Sequence, residues 1–268
     1  MNATARRVLT AVILLAVFLP AILWAPAWLW QGLIAIVVAL AAFEWARLSS
    51  FPLLPARLYA GLLAGVAWGL PAVLADRWPD FQMGLFVLAA LFWLIVAPLW
   101  MLGRWEGERP ALRAAVGVAL LLPTWAALVY LHQRGPDILV GTLAIVWIAD
   151  TAAYFAGRRF GRHKLAPAIS PGKTWEGVGG ALAALAVYAT VLNGFAGLPL
   201  IALFLVMAGL LYLSVLGDLF ESWIKRLAGM KDSGSLLPGH GGVLDRVDAL
   251  TSTLPVAAGI LLWLEFAK

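Results

Sequence analysis

Between residues 217 and 248 this chain gathers charged side chains that a strongly apolar sequence can tolerate only for a purpose. Asp218, Glu221, Ser222, Lys225 and Arg226 fall at i, i+3, i+4, i+7 and i+8, so on a helix they share one face. Leu216, Leu219, Phe220, Trp223 and Leu227 take the other. Alone, this pattern also describes an amphipathic helix lying among lipid headgroups. Lys231 and Asp232 come next, within a stretch (229–242) that holds five glycines, one proline and two serines. Such backbone is free to set N–H groups against an anion. His240, between Gly239 and Gly241, is placed either to touch a phosphate or to make a turn. Asp245, Arg246 and Asp248 close the block where a further helix should begin. Complementing a helix dipole accounts for one aspartate there more readily than for a pair facing Asp218 across a basic loop. Spacing alone takes the block as far as phosphate handling.

A second polar block precedes the seventh apolar run. Asp150 sits within about two turns of the end of its own run, where an ionised side chain needs a partner and is functional by default. After it come the basic and glycine-rich residues 157–177, with Ser170, Pro171, Lys173, Thr174 and Glu176. Gly172-Lys173-Thr174 has the ending of a nucleotide-binding P-loop, but Pro167 stands where the first glycine must be and no strand precedes it. The segment reads instead as a turn entering a helix, with free N–H groups at the helix start. The three histidines make no zinc site, since His132 falls on the other side of the membrane, His163 is one more polar loop residue and no HExxH occurs.

The elements that carry these blocks are set by composition. With 63% hydrophobic and 12% charged residues and a mean hydropathy of +0.92, the chain is no water-soluble domain. The expected class is all-α: a polytopic integral membrane protein of about nine transmembrane helices. Runs 8–24, 28–45, 58–74, 83–101, 111–131, 138–155, 177–193, 199–217 and 250–266 approach the roughly 20 residues that span a bilayer. No alternating pattern of a β-barrel competes. Arg6 and Arg7 before the first run, and Ala25-Pro26-Ala27 after it, also fit a signal peptide, although the run is long for one. The chain reads as one membrane domain (1–268), with helices one to five in residues 1–137 and the chemistry in 138–268. Sixteen of the 19 Lys and Arg residues fall on one side of the nine runs, leaving Arg77, Arg134 and Lys268 on the other. The positive-inside rule then puts the N-terminus and both polar blocks in the cytoplasm. This basic balance answers to topology and anionic lipid, not to nucleic acid. Trp24, Trp28, Trp100 and Trp105 read as interfacial anchors. There is no cysteine for disulfides or thiolate sites.

Residues 222–248 resemble the signature of the phosphatidate cytidylyltransferases, also called CDP-diacylglycerol synthases. The matching elements are Ser222-x-x-Lys225-Arg226, Lys231-Asp232, Pro238-x-His240-Gly241-Gly242 and Asp245-Arg246-x-Asp248. Gly217-Asp218 and the block from Ser170 to Gly177 are also similar to that family, except that Gly172 stands where a lysine is common. The resemblance implies transfer of the cytidylyl group of CTP to phosphatidic acid with a divalent metal, Mg2+, in a bacterial-type inner membrane. Asp218 and Asp245 are then the expected metal carboxylates, with Asp248 as a supporting or alternative ligand. Lys225, Arg226, Lys231 and Arg246 would neutralise phosphates, with Asp232 and His240 in the same signature. Asp150, Ser170, Lys173, Thr174 and Glu176 would line a second wall, and Ser222 would contact substrate. Two alternatives keep the residues and change the use: another lipid phosphate as acceptor, or an ion-coupled transporter with Asp150 and Asp218 as carriers. Glycine and alanine in the runs permit close helix contacts of the kind a homodimer uses.

Overall fold

The computed structural model describes residues 3–104 and 109–267. Among these residues the chain forms ten α-helices: α1 (Ala3–Trp24), α2 (Ala27–Leu48), α3 (Leu53–Leu74), α4 (Trp78–Leu91), α5 (Ala97–Leu102), α6 (Pro110–Arg134), α7 (Pro136–Phe160), α8 (Trp175–Ala196), α9 (Leu200–Leu227) and α10 (Leu244–Phe266). Proline sets several starts. Pro110 and Pro136 open α6 and α7, where a missing N–H costs no helical bond, and Gly135 at φ 126° turns the chain between them.

Seven stretches among the described residues are long and apolar enough to cross a membrane, against nine expected runs. Val8–Trp24 is a shorter apolar helix. Runs 58–74 and 83–101 belong to one 50-residue helical stretch, Leu53–Leu102, with no polar loop inside it. That stretch is broken in direction rather than in helicity. Ala75, at φ 44° and ψ −112°, opens a 3₁₀ turn (Ala75–Arg77) between α3 and α4, and a π-helical segment (Phe92–Val96) joins α4 to α5. Accordingly α3 packs on α2, whereas α4 packs on α6 and α10.

The main core is aromatic. Trp30, Trp45, Trp93, Trp125, Tyr130 and Phe220 are fully buried or nearly so. The indole N–H groups of Trp30, Trp45 and Trp93 donate to the carbonyls of Leu128, Arg113 and Thr251 at 3.0, 2.6 and 2.9 Å, so these three rings enter the apolar interior with their donors paired. Trp100 belongs to this core rather than to an interface. It is 3% exposed and packs on Phe220 and Trp223 because α5 lies against α9. Trp24 and Trp28 are exposed, and Trp105 lies outside the described residues. A smaller core of Ala149, Ala181, Leu185, Ala189, Met207 and Leu211 holds α8 between α7 and α9.

The one departure from all-helical architecture among the described residues is a short antiparallel hairpin, β1 (Lys164–Ala166) and β2 (Ser170–Thr174), with Ala166 opposite Ser170 and Lys164 opposite Thr174. It replaces the simple turn expected before α8. Pro167 and Pro171 keep this segment extended where a helix might have continued. At one end of the molecule Arg134 and Glu265 form an ion pair between the ends of α6 and α10. At the other, Thr10 Oγ1 donates to the carbonyl of Pro238 at 2.9 Å. The start of α1, the end of α2, the hairpin and the 228–243 loop therefore share one face.

Candidate functional site

One wall of the site is built by α7, the hairpin and α8. A Cβ at Gly180 would stand 2.3 Å from the Ala156 Cβ, and one at Gly177 would stand 2.9 Å from the Ala153 carbonyl, so α7 and α8 meet at a distance that only glycine allows. Thr174 caps α8, its Oγ1 accepting from the Gly177 N–H at 3.1 Å. This cap fixes the end of β2, and Lys173 just before it reaches across to α9, with Nζ 2.6 Å from Asp218 Oδ2. The two meet in a cavity of about 570 Å³ whose polar lining includes Asp150, Arg158, Ser170, Lys173, Thr174 and Asp218, while Ala149, Val178, Ala181 and Leu211 form its apolar part. Glu176, expected on this wall, does not line the cavity. Its carboxylate accepts from the His163 N–H at 3.2 Å and lies 2.6 Å from His163 Nδ1, which ties the hairpin to α8.

The second wall comes from α9 and α10. Helix α9 runs unbroken to Leu227, past the expected end of its apolar run at 217, so the polar face from Asp218 to Arg226 is one continuous helical surface. A Cβ at Gly217 would stand 2.4 Å from Ser252 Oγ and 2.9 Å from the Asp248 carbonyl. This close crossing brings Asp218 near Asp248. The Asp218 charge acts on both Asp150 and Asp248, and Lys173 acts on the same two residues with opposite sign. Ser222 Oγ donates to Asp218 Oδ1 at 3.3 Å.

Lys225 lies one helical turn beyond Glu221 and is buried. Its ammonium is 3.1 Å from Glu221 Oε1 and 2.6 Å from Asp245 Oδ1. Asp245 also accepts from the N–H of Ser233, at 2.9 Å, and of Gly242, at 2.8 Å. Beyond this network the 228–243 loop folds back on itself through a Leu237 to Gly241 bridge and encloses a second cavity of about 600 Å³. Lys231, Asp232, His240 and Arg246 line it. His240 Nδ1 is buried there without a hydrogen-bond partner among the described residues. Arg226 lines neither cavity. It is exposed, with Nη1 3.5 Å from the Met230 carbonyl.

The expected residues thus gather in two linked groups. Asp150, Ser170, Lys173, Thr174 and Asp218 line the first cavity, Ser222 bonds to Asp218, Asp248 lies beside Asp218 at the crossing of α9 with α10, and four signature residues surround the second cavity. Glu44 escaped the sequence reading. It is 2% exposed near the end of α2 and accepts from Ser233 Oγ at 3.0 Å and from the N–H groups of Val243 and Leu244 at 3.0 and 2.9 Å. The signal was present in the chain: Glu44 is the one ionisable residue in the apolar run 28–45, and the rule applied to Asp150 applies to it equally.

The first cavity carries charge of both signs, with the acids Asp150 and Asp218 and the bases Arg158, Lys164 and Lys173 in its lining. Asp218 acts on Asp150 and also on Asp248, which lies outside the lining, and Lys173 pairs directly with Asp218. Hard oxygen donors of this kind suit a magnesium-sized cation that completes its shell with phosphate oxygens. Among the described residues no group of three or more His, Cys, Asp or Glu side chains gathers closely enough to hold a metal ion. Lys225 and two backbone amides engage the oxygens of Asp245, as Lys173 and Ser222 engage those of Asp218.

Comparison with known proteins places this geometry in a lineage. A family model described as the cytidylyltransferase family matches residues 5–264. A Pseudomonas aeruginosa protein called phosphatidate cytidylyltransferase is 38% identical over 267 residues, covering 96% of each chain. A Haemophilus influenzae protein of the same name is 33% identical over 276 residues, covering 93% of this chain and 96% of its own. One from Bacillus subtilis is 39% identical over 145 residues, about half of each chain.

Proposed function

We propose that this chain, which belongs to the cytidylyltransferase family, transfers the cytidylyl group of CTP to phosphatidic acid, giving CDP-diacylglycerol and pyrophosphate. The observation that carries the reading is the 2.6 Å approach of Lys173 to Asp218. It joins two polar blocks far apart in sequence on one cavity at the end of a membrane bundle. A phosphate oxygen of phosphatidate attacks the α-phosphorus of CTP in line, the new P–O bond forms, and the α–β phosphoanhydride bond breaks to release pyrophosphate. The attacking phosphate is already ionised near neutral pH, so no strong general base is required.

The two cavities differ in a way that suits the two substrates. The first has apolar helix walls below a polar rim, which fits a phosphate whose acyl chains stay in the bilayer. The second is formed by loop residues and Arg246 in the first turn of α10, and fits a polyphosphate arriving from water. Lys173 holds the lipid phosphate against the Asp218 side of the cavity. Lys231 and Arg246 neutralise the triphosphate and the departing pyrophosphate. Lys225 acts at one remove, fixing Asp245 and so the start of α10. A divalent cation held by Asp218 and Asp248 would supply further charge neutralisation between the two phosphates. We place this face of the molecule on the cytoplasmic side of a bacterial inner membrane, where CTP is available.

The test is incorporation of labelled CTP by purified protein in mixed micelles, offered phosphatidate, a polyprenyl phosphate or no lipid. A lipid product with phosphatidate is expected. It should vanish on chelation and return with magnesium. Product with the polyprenyl phosphate alone would overturn the assignment of acceptor.

A further inference from the structure

We infer that Glu44 is a positioning residue for the nucleotide: it fixes the neck of the 233–243 loop and so the shape of the second cavity. The inference rests on the reading of that cavity as the CTP polyphosphate site. Ser233 and residues 242–244 are the two ends of the loop, and two carboxylates grip them together. Asp245 takes the N–H groups of Ser233 and Gly242. Glu44 takes the Ser233 hydroxyl and the N–H groups of Val243 and Leu244. Three consecutive amides at the start of α10 are thereby all satisfied by carboxylate oxygens, in the region where a helix leaves its donors free.

The fit is close on every side. A Cβ at Gly234 would stand 2.5 Å from Glu44 Oε1, and one at Gly242 would stand 2.3 Å from Glu44 Oε2. Both loop ends therefore lie directly on the carboxylate. Glu44 stands 189 residues before Ser233 in the chain, and the hydrogen bonds its carboxylate accepts from Ser233, Val243 and Leu244 come from the loop and from the first residue of α10. The helix α2 is held in the bundle by other residues, Trp30, Ala41, Ala42 and Trp45. What the carboxylate adds is the closure of a loop whose intervening residues, Gly234, Ser235, Leu237, Gly239, His240 and Gly241, line the cavity. An apolar side chain at 44 would leave the Val243 and Leu244 amides buried and unpaired.

The experiment compares wild type with Glu44→Gln and Ser233→Ala as detergent-purified full chains, measuring steady-state kinetics for both substrates and deuterium uptake of the segment 231–246. Glu44→Gln keeps the shape but sets an amide N–H₂ against donors. It should raise KM for CTP at least tenfold, leave KM for phosphatidate within twofold, and speed exchange at 242–244. Ser233→Ala removes one of the three bonds and should raise KM for CTP about threefold, deciding the matter if Glu44→Gln does not fold. Unchanged KM for CTP, or an equal loss for both substrates, would overturn the inference. A wild-type protein inactive with CTP and phosphatidate would instead overturn the function on which it rests.

Discussion

Lys173 and Lys225 make ion pairs of the same length, 2.6 Å, yet the two pairs do different work because they differ in burial. The Lys173 and Asp218 side chains are 24% and 32% exposed, whereas those of Lys225 and Asp245 are 11% and 6%. A partly solvated pair contributes at most about 1 kcal/mol to folding. Removing one partner from a buried pair leaves an uncompensated charge and costs roughly 3–5 kcal/mol. Asp218→Asn should therefore abolish transfer, by at least about 100-fold, with Tm within about 2 °C of wild type. Asp245→Asn should lose activity and also lower Tm by roughly 5 °C or more. Thermal unfolding followed beside turnover checks both; an unchanged Tm for Asp245→Asn would show that Lys225 is content with Glu221 alone. The residue types at these positions were legible from spacing, since i, i+3, i+4 and i+7 fix a shared face. Their pairing was not. Which carboxylate a lysine chooses depends on the crossing of α9 with α10 at Gly217, and nothing local in the sequence encodes that crossing. Glu44 shows the same limit, because its partners lie some 190 residues away and a single carboxylate in an apolar run names none of them.

Helices were legible because each apolar run must be long enough to satisfy its own backbone in lipid. What hydropathy could not show was where a run bends without becoming polar. The turn at Ala75 carries no loop composition beyond Asp76 and Arg77, and the π segment Phe92–Val96 is as apolar as its neighbours. The hairpin of β1 and β2 was hidden for a different reason: strands of three and five residues are too short for a period of two to register. These elements matter because they aim the site. The hairpin carries Lys173, and the close approach of α7 to α8 sets where it points. Gly180→Val would force a branched side chain against Ala156, an overpacking that costs about 1–3 kcal/mol. The expected result is a protein that still inserts, melts several degrees lower, and loses most activity because Lys173 no longer reaches Asp218. Activity at the wild-type level with a lowered Tm would show that the hairpin holds its own geometry independently of the helix contact.

At the scale of the whole molecule, a lipid phosphate and a water-borne nucleotide can meet only at headgroup depth, and the bundle offers one face where both polar walls lie. An ion carrier would need its ionisable groups distributed through the membrane, whereas Asp150 and Asp218 here line one cavity beside the hairpin and loop. The Arg134 to Glu265 pair marks the opposite end, where α6 and α10 finish. The positive-inside rule predicts that the hairpin and loop face is cytoplasmic, and the absence of cysteine allows a direct test on an otherwise unaltered chain. Leu236, in the loop, and Leu198, between α8 and α9, are exposed at 47% and 49%. In Leu198→Cys a membrane-impermeant maleimide should react with intact spheroplasts. In Leu236→Cys it should react only after permeabilisation, with both variants keeping activity. The reverse pattern would invert the orientation and place the CTP site on the wrong side of the membrane for its substrate. Labelling of both from the same side would mean that α9 does not cross, because it alone separates the two positions in the chain.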